Sequence, residues 1–401
     1  MKQFKPILCA LLFFSFSVQA QDPSESDEFE KFKKEQQQGV RQEDESFRNY
    51  RAEVTKQFDE YTAEQERLFK EYAGQIEQKW GKKQVRTSTR KEYVSYDPNY
   101  GSRKSINYEE GNATVEILVT EAEAKDPSFV QAKLKEQIAA LAVSKGGTDP
   151  LEVQSGIPPD TKPIISGQLA ASDGMPVTQQ NAARFADETI KKAEIEQETV
   201  TGKDGIKRVV IGVQMPLVPN HVKKRAEEFR GNVKQESERF GIDGTLVYAI
   251  MHTESYFNPK ARSPVPAFGL MQLVPKSGAR DAFFFAHKKD SLVTGEYLFI
   301  SGNNIELGTA YLTKLLTVDF RGVKDPKSRI YCAISAYNTG PGNVAKAFTG
   351  KRNVVQALPK INALSSEGVF EHLKKNLPFE ETRSYVVKVS ERMGMYTEWS
   401  R

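Results

Sequence analysis

The chain has 401 residues, which is long enough for two globular domains that each bury a hydrophobic core. Hydrophobic residues make up 38% and charged residues 27% of the chain, and this composition excludes a polytopic membrane protein. The 57 Lys and Arg residues exceed the 53 Asp and Glu residues by only four formal charges. That excess is too small to predict binding to nucleic acid.

The first twenty residues have the pattern of an export signal. Lys2 and Lys5 precede an apolar run from Ile7 to Phe16 that is too short to span a bilayer, and Val18-Gln19-Ala20 resembles a cleavage site. We therefore expect a mature chain that begins at Gln21 and is located in the periplasm. Peripheral attachment at the outer membrane remains open.

The two cysteines bear on lipidation and on disulfides. Cys9 follows Pro6-Ile7-Leu8 and not the small residues that precede an acylated cysteine in bacterial lipoproteins, so we do not expect a lipid anchor. The mature chain would keep only Cys332, which excludes an intramolecular disulfide.

Residues 21–83 are highly charged, and an eleven-residue aromatic repeat predicts a long helix within them. An eleven-residue repeat keeps one stripe of side chains on an almost straight helix. We expect the stripe to pack on the chain's own next domain near Trp80. The turns from Phe47 to Phe58 would stay free for self-association, as in a coiled coil, or for an envelope partner, and disorder remains open before Ser46. The repeat positions are Phe47, Tyr50, Val54, Phe58, Tyr61, Gln65, Phe69, Tyr72, Ile76 and Trp80.

Residues 84–217 change to short alternating segments, which predict a small α+β domain. Ala113 to Thr120 is typical of a strand in a hairpin, and Val209 to Met215 predicts a second strand. Asp126 and Pro127 mark the start of a helix. This domain has no metal cluster, phosphate loop or obvious catalytic set, so a positioning or binding role is favoured. The predicted inner face of its helix is Val130, Leu134, Ile138 and Leu141.

A helix beyond the junction at Pro216 and Pro219 carries a carboxylate where an apolar residue is expected. It follows the predicted cap Asp243, and Asn258-Pro259 is expected to stop it. Burial and the negative end of the helix dipole both disfavour a charged Glu254, so its pKa should rise to a value useful to a general acid. On this pattern alone, an exposed Glu at a frayed helix end is the alternative. The residues four apart are Ile242, Leu246, Ile250 and Glu254.

Three further segments could form a groove beside such an acid. Phe268 to Gln272 combines a glycine, where a ligand can approach the backbone, with an amide that donates and accepts hydrogen bonds. Ala336 to Gly340 contains Tyr337, and Glu381 to Val386 contains Tyr385. Taken alone, either tyrosine fits packing better than catalysis.

Together these segments resemble the lytic transglycosylases with a lysozyme-like SLT domain. The resemblance covers about residues 220–398, and segments upstream, such as Trp80-Gly81 and Gly167-Gln168, resemble the C-type membrane-bound members of that family. It implies an α+β protein in which a mainly helical, lysozyme-like domain at 218–401 follows a small α+β domain and a long N-terminal helix. The five matching blocks are Glu254-Ser255 with Phe257-Asn258-Pro259, Gly269-Leu270-Met271-Gln272, Asn304-Ile305 with Gly308 and Tyr311-Leu312, Ala336-Tyr337-Asn338 with Gly340, and Glu381-Thr382-Arg383 with Tyr385-Val386.

The resemblance also implies a reaction on peptidoglycan glycan strands. Glu254 would be the single catalytic acid and then the base, while the 6-hydroxyl of N-acetylmuramic acid attacks its own anomeric carbon and leaves a 1,6-anhydro end. Tyr337 and Tyr385 would orient or polarise Glu254. No acidic residue of the matched groove motifs is expected to act as its partner, and a carboxylate from elsewhere in the chain stays open. No metal and no cofactor are implied. The sugar-binding residues would be Ser255, Gly269, Met271, Gln272, Tyr337 and Asn338.

Two rival functions remain open. One is a hydrolase of goose-type lysozyme character on the same fold, which only the product distinguishes. The other is a peptidoglycan-binding scaffold without turnover, against which the presence of Glu254 and all five blocks argues. Val265-Pro266 stands where relatives usually have small residues, which leaves the geometry of that loop open.

Overall fold

The computed structural model describes residues 23–263 and 266–399, without the side chains of residues 23–48, 50 and 51. The predicted export signal, including Cys9 and the cleavage site, lies outside the described residues. So do Val265 and the side chains of Phe47 and Tyr50. The described residues divide into two compact units, with the boundary between Lys56 and Gln57.

The first described element is the helix α1 (Pro23–Trp80). The sequence allows disorder before Ser46, but the backbone there is helical. The helix stops at Gly81, whose φ is +81° and whose hypothetical Cβ would lie 2.5 Å from the carbonyl oxygen of Thr201. No other residue type fits this left-handed turn against a neighbouring backbone. The chain then enters a short 3₁₀ turn, Lys82–Gln84.

The C-terminal turns of α1 pack on the following part of the chain, as predicted. The Tyr72 hydroxyl donates to the Asp149 carboxylate at 2.9 Å, and the indole nitrogen of Trp80 donates to the Tyr100 carbonyl at 2.9 Å. The hydrophobic cluster at this contact consists of Leu68, Tyr72, Ile76, Trp80, Val94, Tyr96, Leu151, Val200 and Val210.

The prediction that the turns from Phe47 to Phe58 stay free is wrong at Val54, which is 6% exposed, and at Phe58. Phe58 is only 7% exposed, and the Lys276 ammonium lies 5.2 Å from the centre of its ring. Phe69, by contrast, is 38% exposed although it belongs to the same stripe. The stripe therefore extends its packing towards the N-terminus beyond the turns near Trp80.

A five-stranded antiparallel sheet follows α1, in the order β1-β2-β3-β5-β4. The predicted hairpin strand is β3, displaced by one residue, and the second predicted strand lies within β5. Val115 pairs with Val213 across these two strands. The strands are β1 (Glu92–Tyr96), β2 (Ser102–Asn107), β3 (Asn112–Val119), β4 (Ile195–Thr201) and β5 (Lys207–Pro216).

The helices α2 (Pro127–Val143), α3 (Pro150–Gln154) and α4 (Ala182–Lys192) accompany the sheet. Asp126 caps α2 by accepting hydrogen bonds from two backbone amides of its first turn, as the sequence predicts. All four predicted inner-face residues of α2 are buried and share one core with the sheet.

The C-terminal part is helical, which confirms the predicted α+β class with a mainly helical second part. Among the described residues, no helix has both the length and the apolar character of a membrane span. Two π-helical turns, Pro275–Ala279 and Leu315–Asp319, interrupt this part. Its helices are α5 (His221–Glu228), α6 (Arg230–Phe240), α7 (Gly244–Ser255), α8 (Arg280–His287), α9 (Gly295–Leu298), α10 (Ser301–Lys314), α11 (Pro326–Thr339), α12 (Pro341–Thr349), α13 (Val354–Asn362), α14 (Ser366–Asn376) and α15 (Glu380–Met393).

Arg225 of α5 links the sheet to the helical part. Its buried guanidinium donates to the Tyr108 carbonyl at 3.1 Å, to the Gln168 side chain at 2.7 Å and to the Tyr256 carbonyl at 2.9 Å. It also lies 4.5 Å from the centre of the Tyr108 ring. These bonds satisfy a buried cation with acceptors from both sides of the predicted domain junction. They connect the sheet to the helical part.

Candidate active site

Glu254 is the penultimate residue of α7. Asp243 caps the start of that helix, as predicted, by accepting a backbone hydrogen bond at 2.8 Å. The helix ends because Tyr256 and Phe257 adopt left-handed backbone conformations, with φ of +51° and +61°. The chain therefore turns before it reaches Asn258-Pro259, which the sequence predicted as the stop.

Burial controls the protonation state of Glu254. The residue is 5% exposed, and burial raises the pKa of its carboxyl group to about 7. The predicted rise of the pKa is confirmed, and the exposed, frayed position is excluded. A carboxyl group with this pKa can donate and recover a proton near neutral pH.

The two predicted tyrosines have different contacts. Tyr385 of α15 donates from its hydroxyl to Oε1 of Glu254 at 2.7 Å, which lowers the pKa of Glu254 against the larger effect of burial. Tyr337 of α11 donates instead to the carbonyl oxygen of Met271 at 2.8 Å. Tyr385 thus contacts the acid directly, whereas Tyr337 holds the backbone of the adjacent loop.

That loop requires glycine at position 269. Gly269 has φ of +75°, and a Cβ there would lie 2.3 Å from Nδ2 of Asn304 and 2.4 Å from the Leu298 carbonyl oxygen. Real atoms essentially never come so close, so any side chain would displace the loop. Gly269 therefore shapes the site through its backbone.

Asn304 of α10 fixes the same loop from behind. Its Nδ2 donates to the carbonyls of Phe268 at 2.8 Å and Leu298 at 2.9 Å, and its Oδ1 accepts from the Met271 amide at 2.8 Å. The resemblance included Asn304 in a block without giving it a role. In the sequence, only its place in that matching block pointed to Asn304.

The remaining predicted sugar-site residues occupy several environments. Ser255 is fully buried, and its hydroxyl lies 2.7 Å from the Leu270 carbonyl, so it supports the loop from inside. Met271 is also buried, against Gly308. Asn338 is half-buried and accepts a hydrogen bond from the Thr382 hydroxyl at 2.6 Å.

Gln272 combines a left-handed backbone with an incompletely bonded amide. Its φ is +47°, and its Nε2 donates to the carbonyls of Ala261 and Gly269 at 3.1 Å each. Its Oε1 is buried and has no hydrogen-bond partner among the described residues. Because a buried unpaired acceptor costs free energy, the Gln272 amide is an incompletely satisfied polar group in this loop.

Arg90 is the site residue that the sequence did not reveal. It precedes β1, yet its Nη1 lies 3.9 Å from Oε2 of Glu254 and 3.2 Å from Oε1 of Glu381. Nδ2 of Asn258 holds this segment through the carbonyls of Thr89 and Arg90, at 3.5 and 3.4 Å. Arg90 lies in a polar stretch with no periodicity, so no local signal could have identified it.

Glu381 is an acidic residue of a matched motif that lies near Glu254, where no acidic partner from those motifs is expected. The two carboxylates share the Arg90 guanidinium, and the Glu381 side chain is 62% exposed. Its negative charge acts to raise the pKa of Glu254, which Arg90 opposes. Within the described residues, no group of three or more His, Cys, Asp or Glu side chains could hold a metal ion.

Two family models match the chain. That of the Transglycosylase SLT domain matches residues 231–357, and that of the N-terminal domain of membrane-bound lytic murein transglycosylase C matches residues 52–228. Among solved structures, the 70 kDa soluble lytic transglycosylase from Escherichia coli is 26% identical, with a TM-score of 0.34. That match covers 45% of this chain and 26% of the other, so this chain spans about a quarter of that protein.

Curated relatives match over most of their length. The membrane-bound lytic murein transglycosylase C of Klebsiella pneumoniae is 35% identical over 325 residues, which cover 80% of this chain and 86% of that protein. The protein of the same name from Cronobacter sakazakii is 36% identical over 327 residues, with the same coverage. The identity and coverage of these matches show that the chain belongs to the membrane-bound lytic murein transglycosylase C family.

Proposed function

We propose that this lytic murein transglycosylase cleaves the β-1,4 bond between N-acetylmuramic acid and N-acetylglucosamine without water and leaves 1,6-anhydro-N-acetylmuramic acid ends. The observation that carries the proposal is the buried carboxyl group of Glu254, with its pKa raised to about 7 and its hydrogen bond from Tyr385. Family membership supports the same substrate class.

Glu254 donates one proton and then accepts a different one in this reaction. The protonated acid donates to the glycosidic oxygen as the bond from that oxygen to the anomeric carbon breaks. The 6-hydroxyl oxygen then bonds to the same carbon, and the Glu254 carboxylate takes the hydroxyl proton. Tyr385 and Arg90 stabilise the carboxylate between these steps, since a hydrogen bond and a positive charge both favour the ionised form.

The loop from Gly269 to Gln272 would hold the sugar next to this acid. Oε1 of Gln272 offers an unused acceptor, and the half-buried Asn338 lies on the neighbouring helix α11. Ser255 and Asn304 would act indirectly, because their hydrogen bonds go to the loop backbone. This division predicts that substrate contacts come mainly from Gln272 and Asn338.

The test is Glu254→Gln, assayed on isolated sacculi with mass spectrometry of the released muropeptides. The amide keeps the shape of the side chain but cannot donate the acid's proton, so turnover should be lost while binding to sacculi persists. The wild type should release products with anhydro ends. Full activity of the variant would rule out Glu254 as the acid, and sacculi that bind the wild type without being cleared would indicate a scaffold.

A hydrolase is the second candidate, because Glu381 lies close enough to share Arg90 with Glu254. Glycosidases that hydrolyse usually employ two carboxylates, of which one activates water or attacks the sugar. Glu381→Gln separates the candidates. Retained turnover with anhydro ends favours the transglycosylase, whereas loss of turnover in an enzyme that yields reducing ends favours the hydrolase.

We further propose that the protein acts in the cell envelope, since its relatives are named as membrane-bound proteins and the N-terminus has the pattern of an export signal. Export without a lipid anchor predicts that Cys9 is not labelled by radioactive palmitate in cells.

Association through Phe47 and Tyr50 also stays a proposal. Phe47→Ser with Tyr50→Ser should change the association state measured by light scattering, and leave glycan cleavage by the purified enzyme unchanged.

A further inference from the structure

A cavity of about 760 Å³ lies beside the catalytic acid, outside the loop described above. Its walls come from the middle of α1 and from residues 87–92. The remaining wall is formed by Arg262, Ser263, Pro266, Phe268 and Pro275. Arg90 lines the cavity and also lies 3.9 Å from Glu254, so the cavity borders the surroundings of that carboxyl group. Its aromatic lining consists of Phe58, Tyr61, Phe69 and Phe268.

Arg262 brings to this cavity a positive charge that no carboxylate of the described residues pairs directly. Its backbone amide donates to the Thr89 carbonyl at 3.4 Å, and its guanidinium lies 5.6 Å from the centre of the Phe299 ring. Among the described residues, its guanidinium forms no hydrogen bond and no ion pair. Burial lowers the pKa of Arg262, which reflects the cost of holding this cation away from water.

The other cations of the cavity are paired. Lys91 lies 2.6 Å from the Glu109 carboxylate, and Arg90 lies 3.2 Å from Glu381. Arg262 therefore differs from its neighbours in having no carboxylate within ion-pair distance among the described residues.

The nearby acidic groups are bonded elsewhere. Asp149 accepts hydrogen bonds from the Tyr72 hydroxyl and the Tyr96 amide, at 2.9 and 2.8 Å. Glu152 accepts from the Gly147 amide. Burial raises the pKa of both carboxyl groups, to about 6 for Asp149, which weakens the charge they offer to Arg262. The group that would complete the site is thus a carboxylate supplied by a ligand.

We propose that this cavity holds the peptide stem of the muramic acid being cleaved, with Arg262 paired to a carboxylate of the stem. This inference rests on the proposed function, because the stem is attached to the sugar on which Glu254 acts. The volume lies in the usual range of ligand sites, and the aromatic walls suit the alkyl parts of a short peptide. The long helix would then form one wall of a substrate site.

The experiment compares two substrates: glycan strands with intact stems, and the same strands after an amidase has removed the stems. The wild type should have a higher kcat/KM on stem-bearing strands. In Arg262→Gln, the kcat/KM on stem-bearing strands divided by the kcat/KM on stem-free strands should fall about tenfold. This is the loss expected for one charge-assisted hydrogen bond. Arg262→Lys should retain part of the preference. Arg321→Gln is the matched control, since Arg321 is exposed and does not line the cavity, and its ratio should equal that of the wild type.

A second measurement needs no variant of Arg262. Calorimetry on the wild type should show that the free stem peptide binds about tenfold more tightly than the same peptide with its carboxylates amidated. Equal binding of the two peptides, or an unchanged substrate ratio in Arg262→Gln, overturns the proposal. A wild type that cleaves neither substrate would refute the proposed function instead, and peptide binding would still decide the role of the cavity.

Discussion

At Glu254, burial and a hydrogen bond act in opposite directions on a single proton, and burial dominates. Because the pKa is about 7, the donating form is abundant below neutral pH and declines above it. Turnover of sacculi should fall by about tenfold per pH unit on the alkaline side. Initial rates between pH 5 and 9 measure this, and a rate that stays constant up to pH 9 would show that another group supplies the proton.

The same shift predicts a pH-dependent cost to stability. The Glu254 carboxyl has an ordinary pKa of 4.5 and a folded-state pKa of about 7, so the folded state binds the proton more tightly. Its stabilising contribution is full below pH 4.5 and is lost as the pH rises to about 7. At pH 8, the free energy of unfolding of Glu254→Gln, measured by urea denaturation, should therefore exceed that of the wild type by on the order of 3 kcal/mol. At pH 5 the two free energies should differ little. Glu391→Gln removes an exposed carboxylate on α15 and is the matched control.

Tyr385 and Tyr337 differ in their contacts: Tyr385 bonds to Glu254, whereas Tyr337 supports the neighbouring loop. Tyr385→Phe removes the 2.7 Å hydrogen bond to Glu254, so turnover should fall about tenfold and the alkaline limb of the pH profile should move to higher pH. Tyr337→Phe removes a bond to the Met271 carbonyl and should slow turnover without moving that limb. Equal displacement of the limb in both variants would contradict this division.

The buried carboxyl group of Glu254 was predictable from the sequence, and the arginine beside it was not. Glu254 continues a row of apolar residues with helical spacing, which is a local pattern. Arg90 and Arg262 gain their significance only from the folded arrangement, because Arg90 approaches a helix far along the chain. Ser255 shows the converse: its place in a motif predicted sugar contact, yet its hydroxyl supports the backbone.

At the scale of elements, the loop after Phe268 is specified by glycine. Gly269→Ala combines a left-handed backbone with a Cβ placed 2.3 Å from Asn304, and should cost at least about 2 kcal/mol in urea unfolding. Gly174→Ala is the matched control, because Gly174 has φ of +80° with open space around its Cβ position. It should cost only about 1 kcal/mol, the backbone strain alone. Equal losses in the two variants would show that the loop yields to the added methyl group.

The elements that the sequence predicted well are those with strong local signals. Asp126-Pro127 and a four-residue apolar spacing defined α2, and alternation defined β3 and β5. The end of α7 was missed because Tyr256 adopts a left-handed conformation that no glycine announces. The packing of Phe58 was missed because a stripe shows that a helix has an apolar face and not how much of that face is covered.

At the scale of the molecule, residues from both predicted domains lie around Glu254. Glu254 belongs to α7, Arg90 to the segment before β1, and one wall of the adjoining cavity to α1. Arg225 adds hydrogen bonds across the same junction. The sequence favours a positioning or binding role for the α+β part, because it has no obvious catalytic set. The contact that fits this role is Nη1 of Arg90, which lies 3.9 Å from Oε2 of Glu254.

Arg90 therefore allows a test of whether the α+β part acts on the chemistry. Its positive charge lowers the pKa of Glu254, so Arg90→Gln should move the alkaline limb of the pH profile to higher pH, while Arg90→Lys should leave it near the wild-type position. The Arg90 side chain is 42% exposed, and solvent will weaken its effect. If the limb does not move in Arg90→Gln, the charge is fully screened. The α+β part then influences Glu254 only through the backbone that Asn258 holds in place.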